Sequence, residues 1–126
     1  MTLTITQPHR DARSQATITY ADLGAGRSKL DLYDASNNLL VSMSLKKPSG
    51  TIVSGFIVLE QYNTTGDLIL LDGDAVIGKW VNGDGVLMAQ GDVSDMAGAG
   101  DFKVSGTTGT TLYAGAYALL GTTSLS

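Results

Sequence analysis

The sequence predicts an all-β fold: an antiparallel β-sandwich, jelly-roll-like, with about eight or nine short strands and an extended N-terminal arm. Three observations lead there. Apolar residues recur with period 2, and no long window carries an apolar 3.6-residue period. Turn residues punctuate the chain at spacings near ten residues, the habit of sandwiches and barrels. The composition is rich in turn and strand formers, with 16 Gly, fourteen Thr and eleven Ser, and the single Glu60 stands against eleven Asp. Glu favours helices, whereas Asp prefers caps and turns.

The elements follow in order. Residues 1–15 read as an N-terminal arm or a first strand: Leu3 and Ile5 alternate weakly with threonines, then Pro8, His9, Arg10, Asp11 and Arg13 break the pattern. Residues 16–126 form the single sandwich domain. Leu30 and Leu32 alternate with Lys29, Asp31 and Tyr33, and Val41, Met43 and Leu45 with Ser42, Ser44 and Lys46, each a half-buried strand. Between them lies the turn Asp34–Asn38. Phe56–Leu59 and Leu68–Leu71 are apolar on both faces, which predicts strands covered on both sides. Asn63–Gly66 separates them. Asn82-Gly-Asp-Gly85 divides Ala75–Val81 from Val86–Gln90, and Asn-Gly and Asp-Gly supply positive φ cheaply, as tight hairpins require. Phe102 and Val104 alternate with Asp101, Lys103 and Ser105. Gly-rich stretches at 24–26 and 96–100 read as loops, and Leu112–Leu120 as a last strand, since Gly115 would weaken a helix.

At 126 residues the chain is one domain's worth of sequence. No apolar run approaches the ~20 residues that span a bilayer, so no membrane is expected. Residues 1–15 lack the basic start and apolar stretch of a signal peptide. Cysteine is absent, which removes disulfides, thiolate metal sites and cysteine nucleophiles. The net charge of −4 is uneven: residues 1–47 hold six of the eight basic side chains against four acids, and the rest holds two against eight. A net acidic surface repels phosphate, so no nucleic acid is expected. Opposite charge on the two halves would orient copies head to tail or steer docking. The plainer reading is that aspartates collect where turns collect.

Several motifs tempt without completing themselves. Gly73-Asp-Ala-Val-Ile-Gly78-Lys79 has phosphate-loop spacing, but Trp80 stands where a Ser or Thr must ligate magnesium, and the alternation of Val76–Val81 reads as a strand. Asp72, Asp74, Asp84, Asp92 and Asp95 invite a calcium reading, yet no segment supplies the helix-pair loop pattern; solvated turn aspartates are the simpler account. The only histidine, His9, would have to serve any Ser-His-Asp triad from beside a proline. Asn63-Thr-Thr65 has the form of a glycosylation acceptor, which carries weight only in a secreted chain. No enzyme, metal or cofactor is expected. Trp80 reads as core rather than as a stacking platform, and Tyr33, on the polar face of its strand, as the better surface aromatic.

The stretch Lys29-Leu-Asp-Leu-Tyr-Asp34, then Leu39-Leu-Val-Ser-Met-Ser-Leu45 and Pro48, resembles the opening of a group of small tailed-phage and prophage structural proteins. The resemblance continues through Gly78-Lys-Trp-Val-Asn-Gly-Asp-Gly85 to Gly91-Asp-Val93 and covers roughly residues 28–120. Lys79 stands where the group has a small residue, and the first 27 residues have no counterpart. The resemblance implies a decoration or cementing protein on the outer surface of a phage head. Such a protein is made in the bacterial cytoplasm, binds the major capsid protein and bridges capsomers. A dimer or trimer would suit the symmetry axes of a shell. Arg10, Arg13, Arg27, Tyr33, Lys46 and Lys47 are then the expected contact residues, with the basic ones meeting an acidic shell. The alternative is a phage tail- or fibre-associated or carbohydrate-binding sandwich that uses Trp80 and surface tyrosines.

Overall fold

A computed structural model describes residues 3–105, 109–121 and 123–125. It opens with a helix, α1 (Gln7–Ala21), and continues as strands β1 (Lys29–Tyr33), β2 (Leu39–Val53), β3 (Phe56–Gln61), β4 (Asp67–Leu68), β5 (Gly73–Asp74) and β6 (Ile77–Val81). Then come β7 (Leu87–Asp95), β8 (Phe102–Ser105), β9 (Thr111–Leu112), β10 (Tyr117–Leu120) and β11 (Ser124–Leu125). Nine of the strands form one sheet in the order β11-β3-β2-β1-β6-β7-β8-β10-β4, and β5 pairs with β9 in a second, small sheet. Every pairing is antiparallel except β7 with β8.

The large sheet curls until it faces itself. On β1, Leu30 lies opposite Met43 and Trp80, and Leu32 opposite Val41 and Gly78, so alternate positions of three strands line one inner face. Gly78 is glycine for a reason of space. A Cβ there would lie 2.5 Å from the Phe102 ring, which reaches across from β8. The far end of the sheet returns over β2 and β3: Leu70 N–H donates to Leu40 O at 2.7 Å, and Gln61 Nε2 donates to Ala118 O at 3.1 Å. The register of β2 with β3 shifts between Leu45 and Gly50, so the first half of β2 serves β1 and the second half serves β3. The all-β, sandwich-like expectation is met, with one core running from Ile18 to Ala118.

The expectation for residues 1–15 fails. Residues 7–15 are neither an arm nor a first strand: α1 begins at Gln7, and the expected boundary at residue 15 falls inside it. Thr6 is extended (φ −71°, ψ 159°) and Pro8 occupies the first turn, where its missing N–H costs nothing. Among the described residues of this stretch, Leu3–Thr6 lie outside regular structure, and Leu3 is exposed. The inward stripe is Ser14, Ile18 and Ala21, spaced four and three apart. Two of these three are small and one is polar, so the helical period is too faint to register as apolar. The hydroxyls of Thr17 and Thr19 donate to the carbonyls of Arg13 and Gln15, four residues back.

Three contacts fasten α1 to the sheet. Ser14 Oγ donates to Gly55 O at 2.6 Å in the β2–β3 turn. Gly83 N–H, in the β6–β7 turn, donates to Ala21 O at 3.0 Å, and Ser49 N–H on β2 donates to Asp22 Oδ1 at 3.1 Å. The segment expected as one last strand is split. Gly115 adopts φ +87° between β9 and β10, a conformation that ends an L-residue strand.

Candidate functional site

The six residues expected to make contacts fall in three places. Arg10 and Arg13 lie one turn apart on α1 and line a cleft of about 240 Å³ with Ser14, Thr17 and Gly55. Arg10 Nη2 donates to Gln7 Oε1 at 3.3 Å. The cleft exists because the β2–β3 turn approaches the helix so closely: a Cβ on Gly55 would stand 2.9 Å from that of Arg10.

Arg27, Lys46 and Lys47 gather at the other end of α1. Lys47 Nζ donates to Gly24 O at 2.9 Å, in the loop that follows the helix. The Arg27 guanidinium lies 3.8 Å above the centre of the Tyr62 ring. Leu45 N–H donates to Ser28 O at 2.9 Å, which brings the residue after Arg27 against the residue before Lys46. Lys46 is exposed. Arg10 and Asp22 are separated by roughly 18 Å of helix, so the two basic groups are distinct patches.

Tyr33 belongs to neither group. It ends β1 opposite Leu39 and Ile77, and Lys79 Nζ sits 4.6 Å above its ring. Partial burial, and secondarily the charge of Asp31, push its phenol pKa up. Lys79 also reaches Asn37 Oδ1 at 3.4 Å. Tyr33 is thus half-buried under a lysine rather than an open platform.

Trp80 is core, as the alternation implied. It is 1% exposed, and its Nε1 donates to Ser28 Oγ at 2.6 Å while Ser28 Oγ donates to Val81 O at 2.7 Å. A sugar-stacking role for Trp80 therefore loses its surface. The segment of phosphate-loop spacing ends in β6, with no helix at Lys79. Three of the five aspartates of the calcium reading, Asp72, Asp74 and Asp95, are engaged in turns and ribbons. Asp72 Oδ1 accepts from Ala114 N–H at 2.6 Å, and Asp74 Oδ1 from the Thr111 hydroxyl at 2.6 Å. Asp95 accepts from Gly109, Gly98 and Ala97, and these backbone N–H groups, that of Gly109 first, hold its carboxyl below the ordinary range. Among the described residues no three His, Cys, Asp or Glu side chains cluster to hold a metal. His9 is exposed on α1.

A second cleft, of about 370 Å³, opens beside Thr17 between β3, β7 and β11; Ile57, Trp80, Ala89, Phe102 and Leu125 line it, with Asp101 at its rim. Asp101 Oδ2 accepts from Asp92 N–H at 3.2 Å. Thr17 and Gln90 join Asp101 in a lining that is polar and apolar in nearly equal measure, and the carboxylate is already engaged. Asp101 is the one titratable side chain in this lining, so the cleft offers no acid–base pair.

Sequence reasoning missed one feature. The run 67–74 lies antiparallel to 111–118, pairing through Leu68 with Tyr117 and Gly73 with Leu112. One face of this ribbon buries Ile69, Leu112 and Ala118. Along the same ribbon Leu68, Leu70, Leu71, Tyr113 and Tyr117 stay exposed. The signal is in the sequence, as a run apolar on both faces; the expected covering on both sides is absent, since Leu68, Leu70 and Leu71 are each about half exposed. No family model, curated protein or solved structure matches this chain.

Proposed function

We propose that the chain is a structural decoration protein of a phage head, which binds the outside of the shell, bridges neighbouring capsomers and transforms no molecule. The observation that carries this reading is the group Arg27, Lys46 and Lys47. It is exposed cationic charge on a chain whose net charge is −4. A net acidic body approaching an acidic shell is steered to present such a face first. Two of the three side chains are already held, Arg27 on Tyr62 and Lys47 on Gly24 O, so docking orders little that is not ordered beforehand. Many weak copies on one shell then add through avidity.

The test is occupancy on purified heads, measured for the wild type and for Lys46→Glu combined with Lys47→Glu. The reading predicts full occupancy for the first and a loss of at least tenfold in affinity, on the order of 1.4 kcal/mol, for the second. Wild-type binding should also weaken as salt rises. Unchanged occupancy after charge reversal would overturn the contact, and no wild-type binding to heads would overturn the role. A carbohydrate-binding module is the second reading, favoured by Tyr113 and Tyr117, each 64% exposed. Binding on a glycan array that disappears with Tyr113→Ala would select it.

A further inference from the structure

Two runs of this sequence are apolar on both faces, Phe56–Leu59 and Leu68–Leu71, and the fold covers only part of each. In the first, Ile57 and Leu59 are buried, but Phe56 is 44% exposed and lies directly opposite Val53, itself 55% exposed, across the β2–β3 turn. In the second, Ile69 is buried while Leu68, Leu70 and Leu71 stay open beside Tyr113 and Tyr117. The two surfaces differ in charge. Arg10 and Arg13 flank the first, since both line the cleft at Gly55 between Val53 and Phe56. Asp67, Asp72 and Asp74 border the second, and no Lys or Arg occurs in residues 62–78 or 104–126. They also lie near opposite ends of β2: Leu40, near its start, accepts from Leu70 N–H, and Val53 is its last residue.

We infer that these surfaces bind each other between copies, the Val53/Phe56 turn with Arg10 and Arg13 of one chain seating on the Leu68–Leu71/Tyr113/Tyr117 ribbon of the next. Charge selects this pairing over ribbon on ribbon, which would bring aspartates against aspartates. Size suits it as well. Large side chains about half open expose on the order of 100 Å² each, so five present on the order of 500 Å². That is near the upper limit for an apolar patch on a monomer and most of the ~800 Å² that one partner contributes to a stable contact. A head-to-tail contact of this kind closes into a ring or continues as a filament, according to the rotation between copies. The inference holds whatever the chain decorates, because it concerns the free protein.

Two doubly substituted chains test it by mass in solution, each first shown to fold by circular dichroism. One carries Arg10→Glu and Arg13→Glu; the other carries Leu71→Asn and Tyr113→Asn, neutral changes at exposed positions that leave the aspartates in place and add no charge to attract the first. The wild type should form species larger than a monomer as concentration rises, and less readily at high salt. Each substituted chain should remain a monomer alone. Mixed one to one they should form a particle of two chains and no more, because each supplies the intact surface the other lacks. A wild type that stays monomeric at millimolar concentration overturns the inference. So does self-association of either substituted chain, as ribbon-on-ribbon pairing would give for the first, or failure of the mixture to pair.

Discussion

Leu30, Leu32, Val41 and Met43 lie fully buried in a ladder where each strand has a partner on both sides, while Leu68, Leu70 and Leu71 sit in a ribbon that covers one face and leaves the other open. Both regions are leucine-rich and were expected to be strands on the same apolar signal, but β4 ends at Leu68, and Leu70 and Leu71 lie in irregular chain before β5. The difference is what stands across from them. At the centre the curled sheet brings β8 over β1 and β6, so that Phe102 meets Gly78. At the margin Leu68, Leu70, Leu71, Tyr113 and Tyr117 stay about half open or more. Stability is therefore concentrated in the centre, and the margin is left to make contacts.

The contrast can be broken at a single residue type. Leu32→Ala should cost about 3–5 kcal/mol in urea unfolding, because a fully packed site leaves a cavity. Leu71→Ala, the same truncation on the open ribbon face, should change the stability of the dilute chain by no more than about 0.5 kcal/mol. Equal losses would show that the ribbon is covered in the free chain.

A second test sharpens the role of the turn that holds α1. Gly55 has φ +85°, and a Cβ would press on Arg10. Gly55→Ala should cost about 1–2 kcal/mol and should speed hydrogen exchange in α1 more than in β1 or β6. Uniform acceleration would mean that the helix and sheet open together.

The smallest effect belongs to the loop acids. The folded pKa of Asp95 lies below the ordinary carboxylate value because backbone N–H groups of Gly109, Gly98 and Ala97 favour the charged form. Its contribution is thus complete above the unfolded value of about 4 and is lost as pH falls through the lower folded value. Asp95→Asn should make the acid side of the stability profile shallower while leaving the neutral side parallel to the wild type. An unchanged acid limb would assign the loss to other groups, such as Asp34, which Asn38 and Ser36 hold low in the same way.

What was legible in the sequence follows the same division. Strict alternation names the inner residues of β1, β2 and β8; Asp34–Asn38 marks the β1–β2 turn and Asn82–Gly85 the β6–β7 turn, with Asp34 Oδ1 accepting from Ser36 and Asn38 as a turn aspartate should. The helix was illegible because Ser14 is satisfied by a carbonyl 41 residues away, which no local pattern encodes. The return of β10 over β3 is likewise long-range, with Gln61 and Ala118 lying 57 residues apart. Of the six expected contact residues, charge alone found five that are exposed, but not that α1 parts them into two groups. Tyr33 was placed on the polar face correctly, and Lys79 lying over it could not be read from one strand.

The account rests most on the two half-covered runs meeting each other, and hydrogen exchange followed against protein concentration reads that contact directly. Protection should rise at Val53–Phe56 and at Leu68–Leu71 together, with the amides of Leu30, Leu32 and Met43 unchanged. A rise at Leu68–Leu71 alone, or no dependence on concentration at either run, would contradict it.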